Sequence, residues 1–510
     1  MDALSELIKL VTKKRVKKVE LFDENSRNKS SNYFKLFDGI HTRKYQSDNE
    51  AAQDIYQCDP SEKKYLILKT RLKQKLLNTL FFLDFEDDEN VPAYKNALYD
   101  CNKTLYCAKV LLMNGSKRIA IPSVEKTLRK AEEYHLTDIE LECAKILRSY
   151  YSSSNHYKEF IQYRDLAEKI EKRLAAENLS EKFYQEIVAT YAKSKANKAK
   201  VKKLASSYLK LLDEDVNKYD STKLVLNFFR IKTLFHQFSD DYQAAIQETD
   251  RMEEYVAKAP EFHPKNRPEE LAIQKMNFYV HLKDFAQGSK HAEKSLALIK
   301  PGTTNWFTFQ EYHFLLAMHT GEYLKAAETF QNVLDQSSFR ALSEAKKERW
   351  KTFQAYLHYL YKTKKIREIR GMIQNAKTGF KLSDFIGEIP AFDKQRRGLN
   401  IAILTVQILF NLEKFETAAI NQCVKAIKKY CRRYPKKDIN FRSECFITLL
   451  SNMSEEEFRF YQTRKSSEKA YEEMVSVMME YHGGNRAMEV LPYEVMWDLV
   501  LEKLKTYKYG

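Results

Sequence analysis

The residues of this 510-residue sequence that could make or break bonds are 11 histidines, seven cysteines and the Asp and Glu side chains. Their spacing argues against such work. No Walker loop, dinucleotide glycine fingerprint, HExxH pair or nucleophile elbow occurs. The cysteines at 58, 101, 107, 143, 423, 431 and 445 form no CxxC or Cys/His pattern, so neither a zinc site nor a disulfide framework is implied. His291 follows Lys290 on a second helix, and His313 and His319 share a hairpin without a third ligand. Carboxylate pairs such as Asp240-Asp241 and Glu253-Glu254 fall at helix starts or faces, where they complement the helix dipole. Gly483-Gly484 fits a helix stop better than a phosphate cradle. No catalytic residue, metal ligand or cofactor is expected, and the chain is not expected to be an enzyme.

What remains is recognition chemistry, carried by side-chain amides, imidazoles and cations on amphipathic segments. Twelve glycines and ten prolines are few for this length, which favours long uninterrupted helices over a loop-rich β fold. Around Gly321 the segments Trp306–Met318 and Tyr323–Asp335 are helix-sized. Tyr323, Ala326, Ala327, Phe330, Val333 and Leu334 form one apolar stripe in the second of them. A glycine between two such runs is the turn of a helical hairpin. The residues opening each second helix, Tyr242, Phe285, Tyr323, Ile366 and Phe415, are 43, 38, 43 and 49 residues apart. About eight hairpins fit between residues 95 and 435 on this period.

The string Gly321-Glu-Tyr-Leu-Lys-Ala-Ala-Glu-Thr-Phe330 resembles the second half of a tetratricopeptide repeat, and Asp241–Ile246 and Lys414–Ile420 resemble weaker copies. Phe314 and Ala317 replace the motif's first-helix Gly and Tyr, and the period is about 42 rather than 34. The resemblance implies an all-α, TPR-like right-handed superhelix, with generic protein or peptide binding. The expected organisation is a basic helical head at 1–90, a repeat solenoid at 91–438 and a helical cap at 439–510.

In such a superhelix the first helices of the hairpins line the concave side. Asn277, His313, Gln354, His358 and Gln407 lie on first helices of successive hairpins and form the expected ligand-reading row. Asn227, Arg230, Gln274, Gln310 and Asn400 are further positions of this kind. Side-chain amides both donate and accept, which suits the backbone of an extended peptide. The alternative is the hydrated face of ordinary helices. A residue stretch at 379–398 interrupts the rhythm and is expected to be an extended connection.

Net charge is +16 with pI about 9.1, a field that favours acidic partners, unless the lysines only solvate helix faces. The run Lys63–Lys75 holds Lys69, Arg71, Lys73 and Lys75 without one acid. The segment Ser47–Tyr56 before it opens with a capping box, and the pair loosely resembles a helix-turn-helix. These four residues are the expected contacts if the alternative partner is nucleic acid. The first segment lacks the features of a secretory signal, and the most apolar stretch, Leu399–Leu412, is too short and too polar to span a bilayer. The expectation is a cytoplasmic basic scaffold that binds a protein or peptide, with nucleic acid as the alternative and no membrane. No feature sets an oligomeric state.

Overall fold

The computed structural model describes residues 2–13, 31–82, 93–154, 156–193, 198–258, 267–366, 380–387, 397–433, 441–479 and 488–506. Among them every regular element is a helix. The order is α1 Asp2–Lys13, α2 Asn32–His41, α3 Asp48–Tyr56, α4 Lys63–Thr79, α5 Ala93–Met113, α6 Lys117–Glu133, α7 Thr137–Ser152 and α8 Tyr157–Lys193. Then come α9 Lys198–Lys218, α10 Thr222–Phe238, α11 Tyr242–Lys258, α12 Arg267–Leu282, α13 Phe285–Leu296, α14 Thr304–Thr320, α15 Tyr323–Asp335 and α16 Glu344–Lys362. The last are α17 Leu382–Gly387, α18 Arg397–Glu413, α19 Thr417–Arg433, α20 Phe441–Glu455, α21 Phe460–Val475 and α22 Tyr493–Thr506. Contacts divide the chain into two compact units, Met1–Leu174 with Ala259–Lys265, and Ala175–Lys258 with Asn266–Gly510.

In the first unit α1–α4 close their own core around Leu36, Tyr65, Leu68, Leu72 and Leu76. The capping box of α3 forms: the Glu50 amide donates to Ser47 Oγ, and the Glu50 carboxylate accepts from the Gln46 amide at 2.8 Å. Helices α5–α7 share a second core around Cys101, Val124 and Leu147. Pro122 lies inside α6, and the carbonyl it leaves unbonded belongs to Arg118 in the exposed first turn.

Helices α5 and α6 of the first unit pack as a sequential pair, and such hairpins continue in the second unit. Helices α10 and α11, α12 and α13, α14 and α15, and α18 and α19 pack as sequential pairs. Gly321 stands between α14 and α15 with φ of 81°, as its turn requires, and the Glu322 amide returns to the Ala317 carbonyl at 2.9 Å. Helix α13 approaches α14 so closely at Gly288 that a Cβ there would sit 2.3 Å from Leu316. One core runs from Ala272 to Leu504 and includes Phe314 stacked on Phe353 with centroids 4.4 Å apart. Burial of each such ring contributes about 2–3 kcal/mol.

One expectation changes: Phe415 does not open a helix; it is the left-handed turn residue, with φ of 53°, before α19. Residues 157–193 form one 37-residue helix, since no Gly or Pro lies between Ala175 and Ser180, and buried Ser180 turns its hydroxyl to the Glu177 carbonyl instead of capping. Ser454 lies in the last turn of α20, bonded to Asn421 at 2.5 Å.

Candidate functional site

Helix α12 shows how the polar row is positioned. Lys275 pairs with Asp250 at 2.6 Å and Glu253 at 2.9 Å on α11, and Phe278 meets Tyr242 of the same helix. The Ala272 carbonyl accepts from His291 Nε2 at 2.9 Å, which fixes the side turned to α13. Glu269 accepts from Asn305 of α14 at 2.8 Å. At about 100° per residue these contacts occupy roughly half of the helix circumference. Arg267, Glu270, Gln274, Asn277 and His281 fall on the remaining half.

At the start of that face two guanidinium groups and one carboxylate lie near one another. Arg267 donates to Glu270 at 3.1 Å and keeps its Nε buried without a hydrogen-bond partner. Arg230 of α10 donates to Asn227 Oδ1 at 3.1 Å and lies over the Tyr184 ring, 5.6 Å from its centroid. Asn227 in turn donates to Ser180 Oγ at 3.1 Å, so the Arg230 support is a hydrogen-bonded chain. Burial, and then neighbouring Arg267, pull the Arg230 guanidinium below the usual arginine range. Further along, half-buried Asn277 keeps Oδ1 without a partner. On this surface the cations outnumber the one carboxylate and lie beside side-chain amides, groups that can pair with acids and with backbone polar groups.

The face ends where the chain covers itself. His281 Nδ1 meets the Met479 carbonyl at 3.0 Å, and His281 stacks on Tyr242 at 4.3 Å. On α14, Asn305 and Phe309 face α12 and α13, and Glu311 and Phe314 face α16. His319 emerges between these sides and donates through Nε2 to the Glu489 carbonyl at 2.7 Å. The strands of chain carrying these carbonyls are held by Arg442. It donates to both Glu489 oxygens at 3.2 and 2.9 Å, to Glu494 at 2.8 Å, and to the carbonyls of Met474 and Val477.

The expected row therefore does not form one open surface. Asn277 lies on the uncovered face. His313 lies one turn beyond Phe309 on α14, where burial, and then the charge of Lys325 on α15, push its imidazole down to about 4 and Nδ1 has no partner. Gln354 is 1% exposed within α16. Gln407, also 1% exposed, donates to the Phe385 carbonyl at 2.6 Å, and His358 stacks on Phe380 at 5.5 Å. Gln407 and His358 are thus brought together beneath Phe380–Gly387, the described part of the interrupting stretch. The expected exposure fails at Gln354 and Gln407 because helical spacing alone does not tell an open face from one covered by distant chain.

The basic residues of α4 also separate. Lys69 is committed to Asp48 at 2.8 Å, and the Asp48 carboxylate, which also accepts from Tyr65 and Lys69, is held at about 2. Lys75 lies over the Tyr33 ring at 5.2 Å. Arg71 and Lys73 are exposed. Missed in the sequence were Arg267 and Glu270, which sit beside a proline-rich stretch and look like an ordinary helix start. Among the described residues no helix is long and apolar enough to cross a membrane. Comparison with protein-family models, curated proteins and solved structures gives no match.

Proposed function

We propose that this chain is a non-enzymatic, TPR-like scaffold that binds an acidic protein or peptide segment along the uncovered face of α10 and α12. The observation that supports this reading is the row Arg230, Arg267, Gln274, Asn277. Its cations outnumber its one carboxylate, and all four side chains are partly exposed. Side-chain amides beside guanidinium groups can both donate and accept along an acidic segment. The test is affinity capture from the host lysate with the full chain and with Arg230→Ala/Asn277→Ala, each with and without nuclease. A protein captured by the parent, lost from the variant and indifferent to nuclease is the expected result. Capture that ignores the substitutions, or that disappears with nuclease, moves the binding site off this face.

A further inference from the structure

Nearly half of the large apolar side chains that are exposed among the described residues lie between Leu66 and Ile119, in the first unit. Their arrangement on α4 is ordered. With Tyr65, Leu68, Leu72 and Leu76 buried, the outer arc at about 100° per residue carries Leu66, Ile67 and Leu77 with Lys63, Thr70 and Gln74 among them, and exposed Phe81 follows in the next turn. Lys73 borders one edge of that arc and Arg71 and Lys64 the other, with no acid anywhere from Lys63 to Thr79.

Helix α5 repeats the pattern. Tyr106, Val110 and Met113 follow one another along a single face, Met113 being 86% exposed. Lys103 and Lys109 flank that face, Lys109 paired with Glu142. The two lines join: Phe81 and Tyr106 rings lie 5.7 Å apart, and Tyr99 donates to the Leu80 carbonyl at 2.6 Å. Between them opens a cavity of about 390 Å³ whose apolar wall is Leu80, Phe81, Leu105 and Tyr106 and whose polar rim includes Lys103 and the Lys109–Glu142 pair.

We infer that this face of α4 and α5 is a docking surface for an anionic lipid bilayer. Exposed apolar side chains with cations at both edges match the interfacial geometry, in which the apolar side chains enter the acyl boundary and lysines meet headgroup phosphates. Duplex nucleic acid fits less well, since Leu66 and Leu77 would be pressed against phosphates. Such surface contact needs no membrane-spanning helix.

The full chain is sedimented with vesicles of phosphatidylcholine alone and of equimolar phosphatidylcholine and phosphatidylglycerol. Binding is expected only to the anionic vesicles. Lys63→Glu/Arg71→Glu/Lys73→Glu, all exposed positions, should abolish it, and Leu66→Ser/Met113→Ser should weaken it roughly tenfold or more, with helical circular dichroism unchanged in both. Three results would overturn the assignment: no phosphatidylglycerol-dependent sedimentation, sedimentation that survives charge reversal, or binding unaffected by the two serines. The last would leave charge attraction alone, which duplex DNA added as competitor would also satisfy.

Discussion

His319 gives its Nε2 proton to the carbonyl of Glu489, 170 residues later in the chain, and leaves its Nδ1 buried without a partner. The imidazole is neutral in this position, because burial, opposed only in part by Glu489, holds it below the usual histidine range. His291 and His313 are pushed down in the same way.

This sets the acid stability. The unfolded chain protonates these rings near pH 6.5, whereas the folded chain does not until lower pH, so the unfolded state binds more protons and stability falls as pH falls. For His313 the window runs from about 6.5 down to about 4, a loss of roughly 3 kcal/mol across it. Urea unfolding in steps from pH 7 to about pH 4 should show a falling midpoint, with a shallower fall in His313→Gln. Stability that rises over this interval would contradict the assignment.

Arg442 is expected to be the least replaceable side chain of the C-terminal helices. Arg442→Leu leaves the buried Glu489 carboxylate without its bidentate partner and two carbonyls without donors, a loss of about 3–5 kcal/mol. Limited proteolysis should cut such a variant first between residues 476 and 492. Parent-like resistance there would mean that the clamp is dispensable.

The hairpin turns contain correctable strain. His135, Asp240, Lys283, Lys364 and Phe415 all take positive φ, between 50 and 58°, where L side chains are disfavoured by roughly 1–2 kcal/mol. Lys283→Gly should raise stability by up to about 1 kcal/mol, and Gly321→Ala should lower it by about 1 kcal/mol, although a Cβ at Gly321 meets no neighbour. Opposite signs for the pair in thermal melts are the expected outcome.

Asn277 and Gln354 separate recognition from packing. Gln354→Ala removes a side chain that is 1% exposed and should lower stability by about 1–3 kcal/mol. Asn277→Ala should leave the melting temperature nearly unchanged and weaken the captured partner by about 1 kcal/mol or more. Equal melting losses in both variants would place Asn277 in the packed interior.

Within the head, Lys69→Glu sets a carboxylate against Asp48 and should destabilise the first unit, whereas Arg71→Glu/Lys73→Glu should not. Nucleic-acid or lipid binding is therefore measured cleanly only with the second pair. Identical circular dichroism melts for the two variants would show that the Lys69–Asp48 bridge contributes nothing.

Periodicity made the hairpins from α10 to α15 readable, because apolar stripes, the caps at Asp241 and Thr303 and the turn at Gly321 are all local. The continuous α8 was not readable, since nothing marks the absence of a turn between Ala175 and Ser180. Most other hairpin turns use left-handed His, Asp, Lys or Phe, which carry no signal of their own. The candidate face was legible at Arg230, Gln274 and Asn277 through helical spacing. What covers its neighbours was not: His281 with Met479, and Gln407 with Phe385, are pairings of single polar residues across 198 and 22 positions. Arg442 is one basic residue among 86 in the sequence, and only its surroundings distinguish it.

The same long pairings impose an order on biosynthesis. Helices α12 and α14 emerge from the ribosome well before Met479 and Glu489 exist, so His281 and His319 must wait with open hydrogen-bonding sites beside apolar side chains such as Leu315. At about 5–20 residues per second that wait lasts roughly ten seconds or more. During this time the central hairpins stand without their final cover, and a stop codon before residue 442 would make that condition permanent.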